Sequence, residues 1–389
     1  MAGRPHDATD ELFPATATGD DDGDDQRTTG VLPAQRLRAL VHDHTLAATE
    51  DITEDQIQPA SLDLRLGALA YRVRASFLPG DGQDVEAKLD RLNMHEIDLT
   101  RGAVLEAGCV YIVPLLEHVR LGYRTSGTAN PKSSTGRLNI FTRVITDGGQ
   151  AFDQIRPGYE GPLYAEISPR GFAVVVRKGS RLVQLRLRAG SPRPSRQALR
   201  LLREREGVVS VTADDSVDKG FAITVDLRGD GAGGIVGWRA KRHTDVIDFD
   251  LVGHYDPLAF WDPIVASADE AIILNPDDFY ILASENTISV PPDYAAEMAA
   301  YDTLMGEFRV HYAGFFDPGF GFDEAGAGAT RAVLEVRSHE VPFLIEHGQV
   351  VGRLLYERLT QRPDKLYGGA IGSSYQRQGL ALAKQFRRA

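Results

Sequence analysis

The sequence predicts an all-β-dominated protein with a few short helices, built as two copies of one module. Three observations carry that expectation. Apolar residues alternate over short runs, Gly and Pro punctuate them, and matching features recur at a nearly constant offset. Leu37, Leu40 and Val41 have helical spacing behind Pro33, and Leu199 and Leu202 recur 162 positions after Leu37 and Leu40. Ser195 caps that second helix, which ends near Gly207. Asp63-Leu64-Arg65 returns as Asp226-Leu227-Arg228, 163 positions on. The offset then becomes 169, carrying Glu166 to Glu335 and Gly179 to Gly348. Each glycine lies in a hairpin. Phe172, Val174 and Val176 precede the first, and Val183, Leu185 and Leu187 follow it. Val341, Phe343 and Ile345 precede the second, and Leu354 and Tyr356 follow. One short helix followed by short strands favours a compact antiparallel barrel or sandwich in each copy.

The expected organisation is a disordered acidic tail over 1–28, a first barrel over 29–190, a second over 194–361 and a basic, Gly-rich arm over 362–389. Ser191-Pro192-Arg193-Pro194 marks the junction. The chain has 389 residues, enough for two domains, and 42% hydrophobic and 25% charged residues, as in ordinary globular proteins. A net charge of -12 argues against nucleic acid as partner. A small polyanion in a locally cationic pocket remains compatible with it. The single cysteine, Cys109, excludes an intrachain disulfide and fits a reducing cytoplasm. No apolar run reaches membrane-spanning length, so no membrane association is expected. Trp238 and Trp261 read as core or interface residues, and Gly229 to Gly234 as a hairpin turn.

One stretch carries chemistry. In Asn130-Pro131-Lys132-Ser133-Ser134-Thr135-Gly136-Arg137, two hydroxyls sit between two cations on a chain bent by Pro and Gly. Hydroxyl and amide donors close in, with Lys or Arg to offset charge, suit a polyphosphate. The other reading of this stretch is a basic surface turn. Downstream lies Arg156-Pro157-Gly158-Tyr159-Glu160-Gly161, leading to Glu166, and upstream Ile57-Gln58-Pro59-Ala60-Ser61-Leu62-Asp63-Leu64-Arg65-Leu66-Gly67.

These three segments, in this order, resemble the dCTP deaminase family of the dUTPase-like superfamily. The resemblance covers residues 30–190 well and 194–379 loosely. It implies two tandem dUTPase-like distorted jelly-roll barrels, assembled as a homo-oligomer with active sites between barrels. It implies that Lys132, Ser133, Ser134 and Arg137 bind phosphates, with Ser133 and Arg137 also helping to position the attacking water. Lys132 stands where the family commonly has Arg and lacks the bidentate fork.

The family's catalytic acid is a Glu behind an Asp-Pro-Gly turn. Copy one offers Glu166, with Arg156 in place of that Asp. Copy two offers Glu335 and keeps the Asp in Asp317-Pro318-Gly319, with residues inserted around Asp323 to Thr330. Copy two lacks the Ser-Ser-x-x-Arg pattern, with Ala300-Tyr301-Asp302-Thr303-Leu304 there instead. Copy one carries extra residues, Asp147 to Gln150, at the base-recognition hairpin. The expectation is therefore a composite site: Lys132, Ser133, Ser134 and Arg137 of copy one facing Ala313, Asp317, Leu334 and Glu335 of copy two. The rival base is Glu166. Tyr367, Tyr375 and Gln378 match the family's arm, which folds over the triphosphate, although Ser374 replaces its usual Lys.

The implied reaction is hydrolysis of dCTP to dUTP and ammonia, supplying dUTP for thymidylate synthesis. Zinc deaminases carry a Pro-Cys-x-x-Cys signature that this chain lacks, and His95-Glu96 and His339-Glu340 are isolated pairs without cysteine partners. Water activation then falls to a carboxylate, with Mg2+ bound through the substrate's phosphates and no zinc. The alternatives are a dUTPase, a bifunctional dCTP deaminase and dUTP diphosphatase, or a non-catalytic nucleotide-binding regulatory protein.

Overall fold

The structure, a computed structural model, describes residues 27–192, 194–210, 220–229, 234–300, 308–311, 314–322, 330–338, 340–368 and 379–388. The expected tail over 1–28 thus lies outside the described residues except for its last two. There the N–H of Arg27 donates to the Thr360 carbonyl at 2.8 Å.

The first half folds as two antiparallel sheets around one core. One sheet runs Gly30–Val31, Val183–Ala189, Thr125–Pro131, Gln154–Ile155, with Leu62–Leu64 also on Val183–Ala189. The other runs Asn93–Asp98, Leu69–Val73, Val110–Arg120, Glu160–Pro169, Ile140–Thr146. Alternation decides which face each side chain takes. Leu163, Ala165 and Ile167 enter the main core with Leu185 and Leu187, while Tyr164 points to a satellite cluster with Val85 and Leu89.

The second half repeats the pattern. Its sheet runs Trp261–Val265, Ile235–Ala240, Phe279–Ile288, Phe221–Asp226, Val350–Arg358, Tyr294–Ala300, Phe315–Phe316. Thr330–Ser338 lies between Phe279–Ile288 and Phe308–His311, as Glu160–Pro169 lies between Val110–Arg120 and Ile140–Thr146. Glu166 and Glu335 therefore occupy corresponding strands. The matching turns are present, but they are not hairpins. Val174–Val176 turns at Gly179 into Val183–Ala189, and Phe343–Glu346 turns at Gly348 into Val350–Arg358. Yet Val174–Val176 pairs with Ala103–Leu105 and Phe343–Glu346 with Ala271–Leu274, so each turn carries the chain from one sheet to another. Both turn glycines have positive φ, 88° and 75°, a conformation that costs a side-chain-bearing residue. Helices Ala34–His42 and Arg196–Glu206 open the two halves. Ser195 Oγ accepts from the Ala198 N–H at 3.2 Å, and Gly207 ends the helix in the left-handed region.

The halves are interlocked rather than strung side by side. Strand Ile247–Asp248 of the second runs parallel to Val174–Val176 of the first. Trp238 and Trp261 are buried in the first core, where Trp261 meets Phe172 edge-on at 5.3 Å. Arg188 of the first half reaches Glu297 and Glu357 of the second. Of the Gly229 to Gly234 turn, residues 230–233 lie outside the described residues. No helix among the described residues is long and apolar enough to cross a membrane.

Candidate active site

The polyphosphate-like stretch begins as strand Thr125–Pro131 and turns into a single helical turn, Ser133–Arg137. Two contacts to one carbonyl pin that turn: the Lys132 N–H and Thr135 Oγ1 donate to Leu182 O at 2.9 and 2.8 Å. Lys132 extends to the carboxylate of Asp63, the acid of the upstream Asp-Leu-Arg segment. Ser134, Thr135, Gly136 and Arg137 are buried, whereas Lys132 and Ser133 are partly exposed.

Glu335 comes from the second half and meets this turn. Alternation along Thr330–Ser338 directs Leu334 and Val336 into the second core and leaves Val333 and Glu335 on the other face. A small cavity results, lined by Pro131, Lys132, Ser133, Arg137, Met298, Gly314, Val333 and Glu335. The contact is close. A Cβ added at Gly136 would lie 2.5 Å from Glu335 Oε2 and 2.7 Å from Oε1. Burial pushes the Glu335 carboxyl well above the usual carboxylate range, and the Arg137 charge opposes that rise. A carboxyl whose protonated form is favoured in this way, beside a hydroxyl and a guanidinium, is suited to exchanging a proton with a bound water.

The close approach makes a prediction. Gly136→Ala should displace the Glu335 carboxylate, because the added methyl has no other room. Ala favours the helix, so thermal melting should change little while kcat falls by about 10²-fold. Melting curves and steady-state rates on the same preparation check this.

Glu166 sits elsewhere. Arg143 donates to it through Nε at 3.1 Å and also through Nη2, and its guanidinium lies over the Phe152 ring at 3.4 Å and the Phe141 ring at 4.6 Å. Among the described residues, Arg143 is the partner its side chain is seen to bond.

Asp317 is buried and ion-paired at 3.1 Å with Arg186, a first-half residue with no exposed surface. Burial raises the Asp317 carboxyl and Arg186 counters it. Arg186 also donates to the Ala296 and Phe316 carbonyls at 2.9 and 3.3 Å and lies over the Phe315 ring. Tyr367 packs on Phe320 at 5.6 Å, and its N–H donates to the Pro318 carbonyl at 2.7 Å. It braces the Asp317-Pro318-Gly319 turn from outside. The Leu334 side chain is fully buried in the second core. Ala313, Tyr375 and Gln378 lie outside the described residues.

Sequence reasoning missed Met298, Gly314 and Val333, and the buried Arg186. It also missed the last stretch of chain, where Arg137 Nη1 donates to the Ala381 carbonyl at 3.0 Å. Only the strand period around Glu335 could have pointed to Val333. Among the described residues no group of three or more His, Cys, Asp or Glu is arranged to hold a metal.

Two dUTPase-like barrels, with a hydroxyl-and-cation turn of one against a buried carboxylate of the other, define the class: a nucleotide enzyme fold with its candidate site between barrels. The comparisons narrow it. Family models described as the 2'-deoxycytidine 5'-triphosphate deaminase (DCD) N-terminal domain and C-terminal domain match residues 28–191 and 195–386. A crystal structure of 2'-deoxycytidine 5'-triphosphate deaminase from Agrobacterium tumefaciens is 56% identical, with a TM-score of 0.82 over 86% of this chain and 100% of that one. The chain belongs to the dCTP deaminase family. Curated relatives named "dCTP deaminase, dUMP-forming" include one from Beutenbergia cavernae, 33% identical over 28% of this chain and 55% of its own length. Another, from Halobacterium salinarum, is 31% identical over 32% of this chain and 60% of its own. The match thus spans little more than half the length of these curated relatives.

Proposed function

We propose that the chain hydrolyses dCTP to dUTP and ammonia, with Glu335 as the acid–base group. The observation that carries this is the contact between the Glu335 carboxylate and the Ser133–Arg137 turn. Glu335 takes a proton from water as the water oxygen bonds to C4 of cytosine. It returns a proton to the amine as the C4–N bond breaks, leaving uracil and free ammonia. Ser133 orients the water, and Arg137 offsets the charge of the tetrahedral adduct. Lys132, Ser133, Ser134 and Arg137 hold the phosphates. Asp317 and the backbone of Ala313 and Leu334 frame the sugar and base, and Tyr367, Tyr375 and Gln378 cover the triphosphate.

The donor set around Ser133 is cationic and hydroxylic, which suits phosphate oxygens and not a bare cation. Mg2+ would therefore be carried on the phosphates, where it offsets their charge. We also propose a homo-oligomer with sites between barrels, a cytoplasmic location, and the division into 29–190, 194–361 and a covering arm from 362.

The dUMP-forming activity in the names of the curated relatives favours a second reading, in which the dUTP formed is cleaved further. Incubation with dCTP separates the two. Ammonia with dUTP is the expected result, whereas dUMP with pyrophosphate would establish the bifunctional reaction, and no release of ammonia would overturn both. Because burial raises Glu335, the acidic limb of kcat/KM should lie well above the ordinary glutamate range of about 4.3.

A further inference from the structure

We infer that the last described segment, residues 379–388, is a positioning element of the active site, holding the Arg137 guanidinium in place through the Ala381 carbonyl. The inference rests on the deaminase reading above and concerns a part of the chain beyond the arm expected to cover the triphosphate. Arg137 is almost wholly buried, and its Nη1 donates to Ala381 O at 3.0 Å and more weakly to Leu382 O at 3.5 Å. A buried guanidinium that lost this carbonyl would lose part of what offsets its desolvation and would be held less firmly in place.

The carbonyl is itself fixed. Ala383 and Phe386 are buried in the first core, where Phe386 packs on Phe260 and Trp261 at 5.5 and 6.0 Å. Gln385 Nε2 donates to Phe249 O at 2.6 Å, and the His254 N–H donates to Gln385 O at 2.8 Å. Lys384, between these anchors, has its charge disfavoured by burial and by the nearby Lys132, with Asp63 opposing. The segment is thus seated against the same corner of the site on two sides. It is built in as core, not laid over the surface.

Arg137 is the charge that restrains the rise of Glu335. Lys132, Asp63, Lys384, Asp250 and Arg181 also carry charge at this corner. A loosened segment should therefore act on the Glu335 titration as well as on rate.

The test uses the full-length chain with Phe386→Ala and the milder Gln385→Ala, both assayed with dCTP below their melting temperatures. For a guanidinium shifted by about an ångström, kcat is expected to fall about 10-fold to 100-fold. The acidic limb of kcat/KM should move to higher pH, and Phe386→Leu, which keeps the anchor apolar, should restore most of both. If folded variants keep the parent's kcat and pH limb, the inference fails. Should Phe386→Ala not fold, Gln385→Ala decides alone. A parent inactive on dCTP would overturn the proposed function and this inference together, whereas an active parent with unaffected variants would overturn only the inference.

Discussion

Glu335→Gln is expected to lose about 10²–10⁴-fold in kcat with dCTP, the usual contribution of a positioned general base. Glu166→Gln should retain most activity. The two carboxylates occupy corresponding strands of a duplicated fold, so sequence position alone treats them alike. Their neighbours do not. Glu335 meets the Ser133–Arg137 turn, and burial favours its protonated form. Glu166 is neutralised by Arg143, which is wedged against two phenylalanine rings.

The same burial makes a second, opposite expectation for stability. A carboxyl whose folded pKa lies above its unfolded value loses stability as pH rises from the unfolded value towards the folded one. Below the unfolded value of about 4.3 both states are protonated and nothing is lost. Glu335→Gln should therefore melt higher than the parent at neutral pH, and the advantage should vanish near pH 4. Gain of stability with loss of turnover is the signature of a strained functional group. An inactive Glu166→Gln with a fully active Glu335→Gln would reverse the assignment.

Arg186→Met should be the most destabilising single change at the junction between barrels, costing about 3–5 kcal/mol. Arg186 has no exposed surface and is ion-paired to Asp317, which is itself buried. Removing the cation strands a carboxylate in a low-dielectric setting and takes a donor from the Ala296 and Phe316 carbonyls. Asp317→Leu in the same chain should recover part of the loss, because an apolar pair avoids the buried charge. Recovery should be incomplete, since the two carbonyls still lack that donor. Denaturant titrations of both single variants and the double variant measure the coupling. Additive losses would mean that the pair contributes nothing to the junction. KM for dCTP should also rise in Arg186→Met, because Arg186 steadies the Phe315–Phe316 strand beside Gly314 of the cavity.

Much of this was legible in the sequence because the fold repeats. A helix cap at Ser195, glycines at the tight turns and period-2 strands are local signals, and each specifies its element without help from the rest. The expected hairpin pairing about Gly179 and Gly348 failed, because the flanking strands join different sheets. The phosphate-type turn was legible for the same reason: its hydroxyls and cations are contiguous. The expectation of a composite site came from Ser-Ser-x-x-Arg occurring in one copy only, and Glu335 of the second half does lie against that turn.

Other features depend on long-range contacts and leave no local trace. Nothing near Arg186 announces that it will be buried against Asp317. Nothing in Glu166 or Glu335 alone reveals which will be paired with an arginine. Residues 379–388 read as the end of a basic, Gly-rich arm, yet Ala383 and Phe386 belong to the first core. Their docking depends on Phe249, Phe260 and Trp261 arriving from the middle of the chain.

By itself the sequence determined the duplicated β architecture and the turn suited to phosphate, since both follow from residue spacing over a few positions. Tertiary structure decided between the two candidate carboxylates at that turn and showed that burial raises the pKa of Glu335. Those are questions of burial and of neighbours distant in the chain, and proximity in space is what low dielectric and Coulomb forces act upon.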